Sequence, residues 1–120
     1  HTGQFYKGTL RSGQVLESES SIIILGDVNP GARVISKGNV VVLGCLKGLV
    51  FAGAGGNHDS FVVALEMSPM QIRIGDVIAR SNGTVSIKPS KTVDPKIAFV
   101  DDNNIYIEKL DKNVLSDIRL

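Results

Sequence analysis

The stretch LRSGQVLESESSIIILGDVNPGARVISKGNVVVLGCLKGLVFA, residues 10–52, decides the fold. Every sixth residue in it is aliphatic: Leu10, Leu16, Ile22, Val28, Val34, Val40, Leu46 and Ala52. A period of six fits neither an α-helix nor a plain alternating strand, but being even it keeps its members on one face of an extended chain. Short strands joined by bends are therefore predicted. The aliphatic file ends where the next step reaches His58.

Small residues mark the places where this chain must turn. They lie two positions before four members of the aliphatic file: Gly26, Ala32, Gly38 and Gly44. A small side chain there lets one backbone pass close to another. Aliphatic insides with small corners are typical of a β-helix, in which stacked coils bury the file as a central column. Three sides of six residues predict the stacking of Leu10, Val28 and Leu46, of Leu16 and Val34, and of Ile22 and Val40.

We expect an all-β domain of about three to four coils over residues 9–79. Residues 1–8 are interpreted as a tag remnant or linker edge, and residues 80–120 as a C-terminal extension. Within the extension, residues 97–100 and 105–107 flank an Asp-Asp-Asn-Asn turn, which predicts a β-hairpin. Residues 79–96 are polar and contain two prolines, as in a surface excursion, and residues 109–120 suit a short helix or a frayed end.

Composition excludes several classes of function. Thirteen basic and twelve acidic residues leave a net charge of +1, which is not the footprint of a nucleic-acid-binding protein. Aromatic residues make up 5% of the chain and Trp is absent, so no base-stacking platform is expected. No apolar run approaches the roughly twenty residues of a membrane-spanning helix.

The residues that usually carry catalysis are sparse. Cys45 lies in an apolar run, which predicts a buried structural thiol and, weakly, a reducing cytosol. His58 lies in a glycine-rich loop, residues 53–59, which is interpreted as the break where the regular solenoid ends. His58 is expected to be a lone solvated side chain. No metal-ligand spacing is present, so we expect no catalytic residue, metal or cofactor. Two other solenoid classes remain as alternatives: a self-polymerising bactofilin-like protein and a hexapeptide-repeat acyltransferase.

Four aliphatic residues lie beside the inward file, where polar side chains are expected. They are Ile23, Leu25, Val41 and Leu43, and the two pairs are one coil apart. They should form an apolar patch on one outer wall, and such a patch usually marks an interface. A flat wall is self-complementary under a two-fold axis, so a homodimer is predicted. The alternative is that a later segment of the chain covers this wall.

A polar turn precedes the second aliphatic step. Arg11, Ser12 and Gln14 surround Gly13, and they are expected on the surface of the first coil, either as an ordinary turn or as a binding site.

The order of these motifs resembles one known family. The run Arg11-Ser12-Gly13-Gln14, then GDVNPGA at residues 26–32, GNVVVLG at 38–44, Lys47-Gly48 and AGA at 52–54 is similar to the C-terminal domain of MinC, the bacterial septum-site regulator. The resemblance covers residues 9–79. It implies a right-handed triangular β-helix that dimerises and binds the membrane-associated ATPase MinD in its ATP-bound state. It also implies a non-enzymatic role in blocking FtsZ assembly, mainly through a separate N-terminal domain.

The resemblance further assigns residues to partners. The Arg11 to Gln14 turn falls on the MinD-binding surface, and Asn29, Gly31 and Ala32 should stack on the same wall one coil later. Contact with the FtsZ tail would involve Lys47 and Leu49, the latter replacing a basic residue of some relatives. The implied location is cytoplasmic, with recruitment to the inner face of the membrane only through MinD.

Overall fold

The computed structural model describes residues 3–80 and 94–118, which form two β-sheets and one short helix. In chain order the elements are β1 Gly3–Lys7, β2 Val15–Ser18, β3 Ser21–Leu25, β4 Arg33–Ser36, β5 Val40–Leu46, β6 Leu49–Ala52, β7 Val62–Met67, β8 Gln71–Ile74, β9 Val77–Arg80, β10 Lys96–Asp101, β11 Asn104–Lys109 and α1 Lys112–Asp117. Sheet A has the order β1-β3-β5-β7-β10-β11, and sheet B has the order β2-β4-β6-β8-β9.

Successive coils stack in parallel, as the six-residue period predicts. Ile22 pairs with Val40 in sheet A, and Leu16 pairs with Val34 in sheet B. Leu10 bridges to Val28, and Val28 bridges to Leu46, which gives a third wall too short to count as a sheet. The first four strands of each sheet thus form a three-walled β-helix of four coils, and the predicted fold class is confirmed.

The aliphatic file forms the centre of the molecule. Val28, Val34, Val40 and Leu46 of this file have no exposed surface. Alternation along each strand sends every second side chain inward, where burial of a Val or Ile side chain contributes about 1.5–3 kcal/mol. Tyr6 and Leu16 pack against this core from the first coil, which has a neighbouring coil on one side only.

The coils continue past the predicted break. Strands β7 and β8 add a fourth coil after the glycine-rich loop, so Val40 pairs with Val62 and Val50 with Ile72. The loop is therefore an insertion between two coils, because the aliphatic alternation resumes on its far side.

The N-terminal segment differs from the expectation. Residues 3–7, interpreted from the sequence as part of a linker, form β1, which pairs in parallel with β3. Its inward positions are Gln4 and Tyr6 rather than aliphatic residues, and Gln4 Oε1 accepts a hydrogen bond from the Ser18 hydroxyl at 2.6 Å. The first two residues of the predicted tag remnant lie outside the described residues.

The C-terminal hairpin is present and continues sheet A. β10 pairs antiparallel with β7 on one side and with β11 on the other. Asp102 and Asn103 have φ values of 49° and 64°, as a two-residue type I′ turn requires. The predicted surface excursion falls largely in residues 81–93, which lie outside the described residues, whereas Val77–Arg80 form β9.

Candidate functional site: a stacked corner and an apolar wall

The exposed polar turn of the first coil stands on a corresponding turn of the second. Residues 11–14 link the third wall to β2, and residues 29–32 link it to β4. The Gly13 N–H donates to the Gly31 carbonyl at 3.0 Å, and the Arg33 N–H donates to the Gln14 carbonyl at 2.9 Å. We call Arg11, Ser12, Gly13, Gln14, Asn29 and Gly31 the docking corner.

The Arg11 to Gln14 turn is closed by two hydrogen bonds. The Gln14 N–H donates to the Arg11 carbonyl at 2.9 Å, and the Arg11 N–H donates to Gln14 Oε1 at 2.7 Å. Gly13 has φ +88° and open space around its Cα, so it completes the turn and leaves the backbone accessible. The Arg11 guanidinium is exposed and makes no ion pair with any residue in the described part of the chain. A preformed turn thus presents five donors in a fixed fork, which suits a carboxylate.

The turn of the second coil packs so closely on this turn that position 31 has no room for a side chain. Gly31 has φ +87°, and a Cβ on it would collide with Ser12 Oγ. Glycine at this position therefore lets the two turns nest against each other.

Ala32 does not lie on this surface. It is 1% exposed and belongs to the core, although the sequence placed it with the MinD-binding residues. Its side chain points inward because it fills the corner next to the central file. Asn29 is half-buried, and its N–H donates to the Leu10 carbonyl at 2.9 Å.

The third coil brings a second cation to the same corner. The Lys47 N–H donates to the Val28 carbonyl at 2.8 Å, one coil below the bond that holds Asn29, and the Lys47 side chain is exposed. Leu49 instead starts β6 and lies half-buried on the outer face of sheet B, opposite Arg33 and Gln71. The two residues predicted to contact the FtsZ tail therefore lie on adjoining surfaces, Lys47 at the corner and Leu49 on sheet B.

The outer face of sheet A carries an apolar file in register. Cross-strand pairs join Phe5, Ile23, Val41, Val63 and Ile97 in that order. Phe5 is 72% exposed, Leu25 40% and Leu43 43%. We call Phe5, Ile23, Leu25, Val41 and Leu43 the apolar wall; Phe5 was missed because the sequence placed it in a linker.

The chain itself covers the far part of this face. Phe61, Val63 and Ile97 form a buried cluster separate from the main core, and we call them the covered strip. Leu110, Val114 and Ile118, in and around α1, pack against it, as does Val41. The alternative expectation, that a later segment of the chain covers this wall, thus holds for the part of the sheet beneath α1. The part formed by β1 and β3 stays exposed.

Two titratable side chains outside these surfaces, Cys45 and His58, have local partners. Cys45 is half-buried, outside the core in which the sequence placed it, and its thiol donates to Glu66 Oε2 at 2.8 Å. That hydrogen bond raises the pKa of the Cys45 thiol to about 11, which keeps it protonated. His58, predicted to be solitary, pairs with Asp76, and this hydrogen bond lowers the pKa of the Asp76 carboxyl.

Residues 3–80 and 94–118 hold no group of three His, Cys, Asp or Glu side chains arranged to bind a metal ion. The one described helix is too short to cross a bilayer.

Comparison with known proteins identifies the family. The sequence matches the family described as septum formation inhibitor MinC, C-terminal domain, over residues 4–110. The chain belongs to this family. A probable septum site-determining protein MinC from Lachnospira eligens is 59% identical, and the alignment covers 99% of this chain and 51% of the relative. The corresponding protein of Agathobacter rectalis is 51% identical, with 96% of this chain and 50% of the relative covered.

A solved structure agrees with the family assignment. A chain of the MinC:MinD cell division protein complex from Aquifex aeolicus superposes with a TM-score of 0.84 at 34% identity, covering 92% of this chain and 88% of that one. The present chain spans about half the length of the curated MinC relatives it matches. The resemblance stated from the sequence motifs is confirmed.

Proposed function

We propose that this MinC domain is a non-enzymatic adaptor that binds ATP-bound MinD through the docking corner. The observation that carries the proposal is the Arg11 to Gln14 turn, which is closed by two hydrogen bonds and exposed on a fold similar to a chain of a MinC:MinD complex. The surface comprises Arg11, Ser12, Gly13 and Gln14, with Asn29 and Gly31 below them. Lys47 extends it by one coil, and Ala32 supports it from inside.

The adaptor role includes a homodimer formed through the apolar wall. Apolar side chains in register on β1, β3 and β5 support it: Phe5 is exposed, and Ile23 and Val41 are half-buried. A row of apolar residues on a flat sheet is costly to leave in water. Self-pairing around a two-fold axis presents two docking corners to MinD at once. Two weak contacts then act together, which raises the overall affinity.

The protein would reside in the cytoplasm and reach the inner face of the membrane only through MinD. There it would prevent FtsZ assembly at wrong sites, mainly through a part of the protein outside this chain, with Lys47 and Leu49 contributing a contact to the FtsZ tail. The state of the one described cysteine supports a role without nucleophilic catalysis, because the hydrogen bond to Glu66 holds Cys45 as a thiol.

The test is co-sedimentation with MinD and ATP on anionic vesicles. Arg11→Ala and Gly13→Asp should abolish binding. The matched controls are Lys112→Ala, an exposed cation on α1, and Gly55→Asp, a glycine with φ +108° that also lies in open space. Full binding by the Arg11 or Gly13 variants would refute the docking corner.

The dimer has its own test. Leu25→Glu with Leu43→Glu should give a folded monomer in sedimentation equilibrium, because two buried carboxylates on each side of the interface would be uncompensated. An unchanged dimer would show that the apolar wall is not the interface.

A further inference from the structure

The outer face of sheet A is one surface divided into two parts. Phe5 is 72% exposed and Ile23 is half-buried. Val63 and Ile97, which belong to the same cross-strand file, are only 7% and 3% exposed. The division falls at Val41, which belongs to the apolar wall and also packs against the covered strip. The boundary is therefore set by the C-terminal segment, since the apolar file itself continues beneath it.

The segment that covers the strip is held by few contacts. α1 has six residues, and none of them is fully buried. Its docking side consists of Val114, with Leu110 before it and Ile118 after it, while Leu115 on the other side is 54% exposed. A helix this short is marginal in water by itself, so α1 depends on docking for its structure. Its N-terminus is stabilised by Asp111, whose side chain accepts from the Val114 N–H at 2.9 Å.

The open part of the face is small for a stable interface. Three strands of five residues span about 240 Å² in projection, and five strands about 400 Å². A standard interface buries about 800 Å² of accessible surface on each partner, a measure that exceeds the projected area of the same sheet. The two projected areas can be compared with each other, and the covered strip would enlarge the apolar face by about two-thirds. The apolar wall alone is thus expected to give a weaker dimer than the whole face would give.

We propose that α1 is a removable cover that limits self-association of this domain. With α1 docked, a second copy meets only the apolar wall. With α1 released, Phe61, Val63 and Ile97 join the wall, and the second copy binds a continuous surface from β1 to β10. This inference rests on the proposed dimer and adds its regulation.

A second copy is the occupant that fits the released strip. Val63 and Ile97 of the strip continue in register from the apolar wall, and Phe61 lies beside them. All three are apolar, so a symmetric partner offers the same chemistry in return. A charged partner would gain no complementary group from these side chains.

The test compares two substitutions one residue apart in α1. Val114→Asp places a carboxylate on the docking side and should release the helix, whereas Leu115→Asp makes the same change on the solvent side. Sedimentation velocity over a concentration series should show a dimer dissociation constant at least about tenfold lower for Val114→Asp and unchanged for Leu115→Asp. Amide hydrogen exchange of residues 112–118 reports whether the helix has been released.

A chain ending at Lys109 removes the cover outright and serves if Val114→Asp stays docked. The same dissociation constant for this shortened chain and the full chain would overturn the proposal. Adding Leu25→Glu and Leu43→Glu to the shortened chain should abolish its association. Association that survives those changes would use another surface and would likewise contradict the proposal.

These outcomes separate the two proposals. If Leu25→Glu with Leu43→Glu leaves the full chain dimeric, the proposed dimer wall fails. If those changes give a monomer but removal of α1 leaves the dissociation constant unaltered, only the cover fails.

Discussion

Val34 pairs with Val50 of the next coil, a separation of sixteen residues, whereas Leu16 and Val34 are separated by eighteen. The difference arises at the corner, where residues 29–32 are replaced in the next coil by Lys47 and Gly48 alone. A strand alternates with a period of two, so removal of two residues keeps the same side chains inward. The turn at this corner is consequently shorter in the third coil than in the first and second, and the docking corner lies on the two longer turns.

Gln14 is predicted to act on the partner through Arg11. Its Oε1 already accepts from the Arg11 N–H, so the side chain fixes the turn and only its Nε2 remains for a partner. Gln14→Ala should weaken MinD binding about fivefold, corresponding to the roughly 1 kcal/mol of one hydrogen bond. Gln14→Glu keeps an acceptor for Arg11 and should bind like the parent in a MinD titration. Equal losses for both variants would instead indicate that Nε2 contacts MinD.

Gly31 and Gly13 form a matched pair for the nesting of the two turns. Both have positive φ, but only at Gly31 would a Cβ collide with Ser12 Oγ. Gly13→Ala should cost about 1 kcal/mol in the free energy of unfolding from backbone strain alone. Gly31→Ala should lower the free energy of unfolding by about 1 kcal/mol more than Gly13→Ala does. Adding Ser12→Ala to Gly31→Ala should recover part of that extra loss, because it removes the hydroxyl that the new Cβ meets. Urea unfolding measures all three, and equal values for the two glycines would argue against the collision.

The stacked column predicts a sharp contrast between two isoleucines on neighbouring strands. Ile74 on β8 has no exposed surface, and Ile78 on β9 is 48% exposed. Ile74→Ala should lower the free energy of unfolding by about 2–5 kcal/mol because it leaves a cavity in the fourth coil. Ile78→Ala should change it by less than about 1 kcal/mol. Similar losses would show that the fourth coil does not share the main core.

The Cys45 thiol should be unreactive at neutral pH. Its hydrogen bond to Glu66 raises the pKa to about 11, and alkylation proceeds through the thiolate. At pH 8 the iodoacetamide reaction should be about 100-fold slower than for a thiol of pKa 9. Glu66→Ala should accelerate it, whereas Glu17→Ala, a carboxylate on another wall, should leave the rate unchanged. A fast reaction in the parent protein would contradict the hydrogen bond.

The His58–Asp76 pair predicts a pH dependence on the acid side. His58 lowers the pKa of Asp76, so the pair stabilises the fold above the ordinary Asp pKa of about 3.9 and is lost as the pH falls through the lowered value. Below about pH 4 the melting temperature of the parent should therefore fall more steeply than that of Asp76→Asn. Asp59→Asn in the adjacent loop is the control. Parallel curves for the parent and Asp76→Asn would exclude a contribution from the pair.

The aliphatic period was sufficient to predict the stacking of Ile22 on Val40, because alternation and small corners leave an extended chain few other ways to bury one face. The same period was also compatible with bactofilins and acyltransferases. The order of the motifs that begin at Arg11 favoured the MinC family over those two classes. Spacing could not reveal Phe5, since β1 puts Gln4 and Tyr6 inward and carries no aliphatic pattern. Nor could it place Ala32, a corner residue whose small size reflects a tight core position.

The first coil has a neighbour on one side only: β1 pairs with β3 alone, and β2 with β4 alone. In a stack stabilised by nearest neighbours, such a terminal coil frays before the rest. The Arg11 to Gln14 turn of the docking corner lies on this least protected layer, so a ligand that binds the turn also stabilises the layer. By thermodynamic linkage, occupancy by MinD would thus slow amide exchange throughout the first coil, including β1, which lies outside the docking corner.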